Sequence, residues 1–586
     1  MNTNTIGKVI SSASGLVIVE IENAKHFETH KAQLTIGRYL KIADGNSDFI
    51  IAMIKSVRAK DGSSTFDNIN EAKFIIETQP IGILSDGDFK IGVNTLPLPL
   101  EDVMTVEKEL LDKVFAKNST FNFSMGHLLQ NKDVELFVNG NSFFGKHIGI
   151  VGSTGSGKSC AVAKILQTAL EIENMRNKNA DEQTNSHIII FDIHSEYRKA
   201  FTLADDQKFN LNYLNIGTMK LPYWLMNSEE LEDLFVEGGD RNFHNQISIF
   251  KEAIILNKEI HNPALPYVDY DTPVYFSLKE IARFIDNHDR ATKDAKTHEL
   301  AFEGVETPDN TTMFGDVNFT PKSQGKINGG PFAGELTRFS SRFQTILADK
   351  RLKFITEPNK ECGEPMKTND FVDVLKQLIG YSNKSNVTII DLSGVPFEVL
   401  SITVSLISRI IFDFCFQYSK MKHEDNEGND NPILVVFEEA HNYIPKDSGA
   451  SYKAAKRSVE RIAKEGRKYG LSSMVVSQRP SEVSETIFSQ CNNFVALRLT
   501  NPNDQNYIKN LLPENIEGLG DILPTLGKGQ CLVVGDSLPM ATLVQLGLPS
   551  PRPASDDVDV LDMWKKDWLD IEFENIIKKW QKTEHP

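Results

Sequence analysis

Residues 147–159 read HIGIVGSTGSGKS, a short apolar run that breaks into a glycine-rich loop. Next come SCAVAKILQTALEI, apolar at helical spacing, and a second apolar run, HIIIFDIHSEY. Strand, loop, helix and strand in that order open a parallel sheet. The loop fits G-x-x-x-x-G-K-[ST], and its glycines let the main chain wrap a phosphate while the helix start adds positive potential. Gly152, Ser153, Thr154, Gly155, Ser156, Gly157, Lys158, Ser159 and Cys160 are therefore the expected ATP-binding residues. Lys158 should bridge the β- and γ-phosphates and Ser159 should ligate Mg²⁺, which makes ATP and Mg²⁺ the expected cofactors.

A second apolar run, ILVVFEEAH (433–441), ends in two carboxylates. Nucleotide hydrolysis needs one carboxylate for the Mg²⁺ shell and one to polarise water. Glu438 is assigned to the metal and Glu439 to the base. A third run, GRKYGLSSMVVSQRP (466–480), ends on Ser477-Gln478-Arg479 before Pro480. If this strand neighbours the one carrying Glu439, Gln478 shares the ligand edge of the sheet and senses the γ-phosphate or holds the attacking water. Arg467 lies before the strand. It is either an arginine supplied to a neighbouring copy's nucleotide or a cation at a helix end that favours the dipole; Arg461 is the other candidate for the trans role.

Residues 446–468 hold eight Lys/Arg against three acids. Lys453, Arg457, Arg461, Lys464 and Lys468 recur at helical steps and form one basic face. That face fits either a DNA-backbone contact, with Lys453, Arg457, Arg461 and Lys464 as its residues, or a solvated helix surface. Asp192, His194 and Glu196 alternate after the HIIIF strand. With no second ligand cluster, sheet-edge hydrogen bonding suits them better than metal ligation.

The net charge of −17 excludes a wholly basic nucleic-acid surface but not a basic lining confined to a channel. Five scattered cysteines without a CxxC pair argue for reduced thiols and against a disulfide framework or zinc site. No apolar run is expected to span a membrane, and MNTNTIGKV lacks a signal-peptide core. A cytoplasmic protein without membrane attachment is the expectation.

Along the chain, residues 1–100 carry short β segments at barrel or sandwich spacing. A connector with one helix is expected over 101–125, then the first part of an α/β core over 126–219. A mainly helical insertion follows over 220–380, the second part of the core over 381–545, and an arm and amphipathic helix over 546–586.

Together HIGIVGSTGSGKS, FDIHSEY, PYWLMN, VVFEEAHNYIP, IAKEGRKYG, VVSQRPSEVSETIFSQCNNFVALRLTNPNDQ and LPTLGKGQCLVVGD resemble the HerA family of hexameric DNA-translocating ATPases, relatives of FtsK in the RecA-like group. The similarity covers most of 120–550, and the N-terminal β region is similar to that family's HAS barrel. The resemblance implies a RecA-like P-loop core with a small N-terminal β-barrel and an inserted helical subdomain, in a homohexamer around double-stranded DNA. It implies a trans role for Arg467, a sensor role for Gln478, nucleotide contact by Lys146 and a nucleotide brace near LGLPSPRP. It also implies an effector partner, nuclease or sirtuin-like, docking on the barrel, as in DNA-end processing or antiphage defence. Two other readings fit the motifs: an ATP-switched ring scaffold that activates an effector, and a conjugation- or secretion-type pump.

Overall fold

The computed structural model describes residues 5–581 apart from 14, 22–23, 45–47, 61–72, 86–87, 116–121, 171–182, 203–208, 325, 447–452, 513–516 and 556–557. Asp447, one of the three acids in the basic segment, and the last residues of the expected phosphate-loop helix lie outside the described residues.

Seven strands open the chain: β1 (Thr5–Ala13), β2 (Leu16–Ile21), β3 (Tyr39–Ala43), β4 (Phe49–Ala59), β5 (Phe74–Ser85), β6 (Asp88–Ile91) and β7 (Asp102–Thr105). Six of them close in the order β2-β1-β7-β3-β4-β5, with β5 pairing back to β2 and β6 added beyond β5. β7 comes from the stretch expected to be a connector. It sits between β1 and β3, so the barrel reaches past residue 100. Because side chains alternate across a strand, β3 and β4 serve two cores. Leu40, Ile42, Ile50 and Ala52 fill the barrel. Tyr39, Ile51 and Met53 face outward into the large core that follows. Tyr39 fixes this junction by donating its hydroxyl hydrogen to Thr542 Oγ1 at 3.1 Å.

The large domain is one sheet built from β8 (Asn122–Leu128), β9 (Glu135–Asn139), β10 (Ile148–Val151), β11 (His187–Asp192), β12 (Leu211–Leu214), β13 (Val387–Asp391), β14 (Ile433–Phe437), β15 (Leu471–Ser477), β16 (Asn493–Leu497), β17 (Gln530–Gly535) and β18 (Thr542–Gln545). Its order is β12-β13-β11-β14-β15-β10-β16-β17-β18-β8-β9. The first seven run parallel; the last four are antiparallel. The central parallel strands are buried along their whole length and rich in Ile and Val, as strands covered on both faces must be.

Helix α1 (Lys158–Ala169) follows the glycine loop. The insertion supplies α2 (Ser228–Phe235), α3 (Phe243–His261), α4 (Leu278–Arg290), α5 (Thr337–Ala348) and α6 (Phe371–Leu378), plus two small ribbons. It does not stand apart: Phe235, Phe250, Phe339 and Phe343 belong to the same continuous core as the sheet. Helix α7 (Phe397–Glu424) crosses one face of the sheet. Contrary to expectation, it is long and apolar enough by composition to span a membrane; 78% of that window is buried, because α7 is a core helix covered by the sheet, the insertion and α8 (Lys453–Glu465).

Candidate nucleotide site

In open α/β sheets, ligands gather at the carboxyl ends of parallel strands. Four strands place chemistry at that edge: β10 leads into the glycine loop, β11 into Asp192, β14 into Glu438 and Glu439, and β15 into Gln478. The parallel register, Ile148 with Met474 and Phe437 with Val475, sets these tips side by side.

The loop folds back on itself and on its neighbours. Ser153 donates its N–H to the Arg498 carbonyl at 2.8 Å and Ser156 to the Ser153 carbonyl at 3.1 Å. Gly157 caps α1 at φ +94°, a left-handed conformation that side chains resist. A Cβ on Gly152 would stand 2.6 Å from Ser156 Oγ and 2.9 Å from Leu497 Cβ, so only glycine fits there. Gly529 donates to the Ser156 carbonyl at 3.0 Å, which lays the exposed Lys528 beside the loop.

Lys158 is buried and its ammonium lies 2.6 Å from Glu439 Oε1 and 3.8 Å from Glu438 Oε1. Glu439 also accepts hydrogen bonds from the side chain of Gln478 and, at 3.3 Å, from its main-chain N–H, and lies 3.3 Å from His441 Nδ1. Burial would raise its pKa, but Lys158, Gln478 and His441 hold it below the usual carboxylate range. Glu439 takes a left-handed φ of +47°, uncommon for a side-chain-bearing residue, which aims its carboxylate toward Lys158 and Gln478. Gln478 accepts in turn from the Thr154 hydroxyl, tying the tip of β15 to the loop.

Glu438 sits in a different environment on the same strand end. Burial pushes it up to about 7, with Lys158 and the Tyr197 hydroxyl pulling down and Glu439 pushing up. Tyr197 donates to Glu438 Oε2 at 2.8 Å. Tyr197 is itself placed by Asp192, whose carboxylate accepts the N–H groups of Glu196 and Tyr197 at 3.2 and 2.9 Å. The Asp192–His194–Glu196 triplet is thus a turn that positions Tyr197. Among the described residues no group of three His, Cys, Asp or Glu side chains could hold a metal ion.

The donor set fits nucleotide with Mg²⁺. A glycine loop at a helix start, a lysine, a hydroxyl at Ser159 and one nearby carboxylate at Glu438 are what Mg²⁺ requires when phosphate and water fill its remaining positions. Tyr197, His441 and Lys528 were not anticipated from the sequence. Tyr197 and His441 stand in quoted motifs, FDIHSEY and FEEAH, but nothing local assigns them partners.

Two expected residues lie elsewhere. Lys146 precedes β10 and Arg467 precedes β15, so both stand at the amino-terminal edge of the sheet, one strand length from the loop. At roughly 3.3 Å per residue, the seven residues of β15 put roughly 20 Å between Arg467 and Gln478. Lys146 is paired there with Asp536 at 2.5 Å. His147, between Ser473 and Arg467, is pushed down to about 4 by burial and then by that guanidinium. The same-chain ATP pocket therefore excludes Lys146. The four cations expected to meet DNA do share the exposed face of α8, opposite the buried Ala455, Val459 and Ile462.

The comparisons bear on this geometry. The family model for "Helicase HerA, central domain" matches residues 123–411. The chain is 23% identical over 585 residues to the DNA double-strand break repair helicase HerA of Pyrococcus furiosus, covering 91% of this chain and 93% of that one. To the protein of the same name from Saccharolobus solfataricus it is 24% identical over 460 residues, covering 78% and 75%. Among solved structures it is similar to VirB4 of Thermoanaerobacter pseudethanolicus, with a TM-score of 0.44, 13% identity and 73% and 97% of the two chains covered. By its motifs, its sheet and these relatives, the chain is an FtsK/HerA-type P-loop ATPase.

Proposed function

We propose that the protein is a Mg²⁺-dependent ATP hydrolase that forms a homohexameric ring, translocates on double-stranded DNA and works with an effector protein docked on its N-terminal barrel. The observation that carries this reading is the division of cationic residues between two edges of one sheet. Arg467 and Lys146 stand roughly 20 Å from their own phosphate loop, so any nucleotide they touch belongs to another copy. A second copy is needed to complete the site, and a closed ring gives every copy a neighbour on both sides. The names of the two relatives, double-strand break repair helicases, support DNA as the track.

Within one site, the N–H groups of the glycine loop and Lys158 bind the β- and γ-phosphates. Ser159 and Glu438 would hold Mg²⁺, which neutralises charge on the phosphates when bound. Glu439 takes a proton from the attacking water, and Gln478 orients that water and registers the γ-phosphate. Arg467 of the next copy meets the charge that develops on the transferred phosphoryl group, an effect worth roughly 10³–10⁵ in rate where an arginine is supplied in trans.

Two defective variants test the sharing. Arg467→Ala alone and Glu439→Gln alone should each reduce ATPase turnover by at least the hundredfold typical of a lost catalytic group. Mixed together they should recover measurable turnover, because an interface with intact Glu439 on one side and intact Arg467 on the other reforms. Hexamers that assemble from the mixture yet stay inactive would refute a trans role for Arg467.

A further inference from the structure

The basic face of α8 is not open. Each of the four cations expected to meet DNA has an acidic counter-charge from the same chain; Lys468 lies past the end of α8, in the turn at Gly466–Tyr469. Arg457 is paired with Glu229 on the first turn of α2. Arg461 Nη1 lies 3.5 Å from Asp413 Oδ1 on α7. Lys464 pairs with Glu460 one turn back at 3.4 Å. Lys453 shares the field of Asp233 with Arg457. These are residues of three separate elements closing over one stripe.

Beneath the pairs is a cavity of about 130 Å³ where α2, α7 and α8 meet, lined by Asn227, Ser405, Arg409, Arg457, Ser458 and Arg461 among others. Three guanidiniums, two hydroxyls and an amide line it, together with the Glu229 carboxylate, the Phe412 ring and Ala454. Arg461 lies over the Phe412 ring, its Cζ 4.1 Å from the centroid, a cation–π contact that helps hold the guanidinium in place. The acids differ in how firmly they are set. Glu230 is 1% exposed and locked by Arg409 at 2.8 Å and Ser405 at 2.8 Å. Glu229 and Asp413 stand on the rim, 47% and 43% exposed, and Asp413 is shared between Arg461 and Arg409, each at 3.5 Å. Exposed ion pairs of this kind hold by only about 0–1 kcal/mol.

We propose that the α8 face is a docking surface for the phosphodiester backbone of duplex DNA that the chain keeps closed with its own carboxylates, Glu229 and Asp413, and that DNA phosphates open it by displacing them from Arg457 and Arg461. This rests on the DNA reading given above and adds to it a built-in competitor. Sequence-independent contact through phosphates suits a translocating machine, and competition by internal carboxylates keeps resting affinity low in a chain already at −17.

The test is binding of a fluorescein-labelled duplex by the full chain across a series of KCl concentrations. It compares wild type with Glu229→Gln, Asp413→Asn and the double variant, and with Arg457→Ala and Arg461→Ala, each first shown to melt as wild type does. Freeing each cation should tighten binding about three- to fivefold, the scale of one exposed ion pair, and steepen the dependence of log K on log salt by about one per added phosphate contact. The arginine variants should do the reverse. If the double acid variant binds as wild type does while the arginine variants weaken, the masking proposal falls and the DNA face stands. If neither set changes binding, both fall. Inorganic phosphate competing with the duplex at matched ionic strength would also overturn it, by making the cavity a small-anion site.

Discussion

Glu438 and Glu439 are adjacent residues with opposite electrostatics, and the difference comes from their partners. Glu439 faces Lys158 directly, whereas Glu438 is sealed behind it at 3.8 Å from the ammonium, with Tyr197 donating to its carboxylate. Burial raises the Glu438 pKa from 4.5 to about 7. The folded protein therefore holds that proton more tightly than the unfolded chain does. The stability this contributes is complete below about 4.5 and is lost as pH rises through about 7. Glu438→Gln cannot ionise, so its melting temperature should fall less than that of wild type across this window. A wild-type profile parallel to that of the variant would show that Glu438 titrates normally. Residues such as these were partly legible in the sequence. The loop and the carboxylate pair each compress a chemical requirement into a few consecutive positions. Tyr197 was not legible, because its role depends on a turn made by Asp192 and on a strand more than two hundred residues away.

At the level of elements, a buried ion pair adds to the shared core in joining the insertion to α7. Asn227 and Glu230 form a capping box that starts α2. Glu230 then reaches Arg409 on α7, which also donates to the Leu225 carbonyl at 2.5 Å. Removing one partner of a buried pair leaves an uncompensated charge at a cost of about 3–5 kcal/mol. Arg409→Ala should therefore lower the free energy of chemical unfolding by that order, while Lys464→Ala on the exposed face of α8 should change it by less than about 0.5 kcal/mol. Equal effects would show that the Glu230–Arg409 pair carries no special weight. Central strands were legible as unbroken Ile and Val runs. β7 and β8 were not, since β7 finds its partners only when the barrel closes and β8 joins the sheet only through the distant β18, with β9 hairpinned onto β8. β7 even lies beyond the LPLPL stretch, whose prolines suggest a linker.

For the whole molecule, the carboxyl end shows two regimes. Residues up to 554 are fastened: the buried Gln167 of α1 donates to the Pro551 carbonyl at 2.8 Å and accepts from the Ser550 N–H at 2.8 Å, and Ala554 donates to the Glu196 carbonyl. Beyond 557, Trp564 and Trp580 end the helices Val560–Trp564 and Phe573–Trp580, Trp568 lies between them, and all three are exposed. A chain ending at residue 555 should keep the wild-type melting temperature. Its emission should move to shorter wavelength, because of the four tryptophans only the buried Trp224 remains. A large drop in melting temperature would mean that the terminal helices support the fold. The sequence indicated this arm through its prolines and acids, but the point at which it leaves the core is set by one glutamine on a helix nearly four hundred positions earlier.

The contact between Lys158 and Glu439 works as an interlock. The ammonium proposed to meet the incoming phosphates is the same group that restrains the proposed base, so on that reading the carboxylate is let go only as the lysine changes hands. On the proposed assignment, a resting copy has its water-activating group engaged elsewhere, and idle turnover is discouraged by the same bond that the substrate must break on entry.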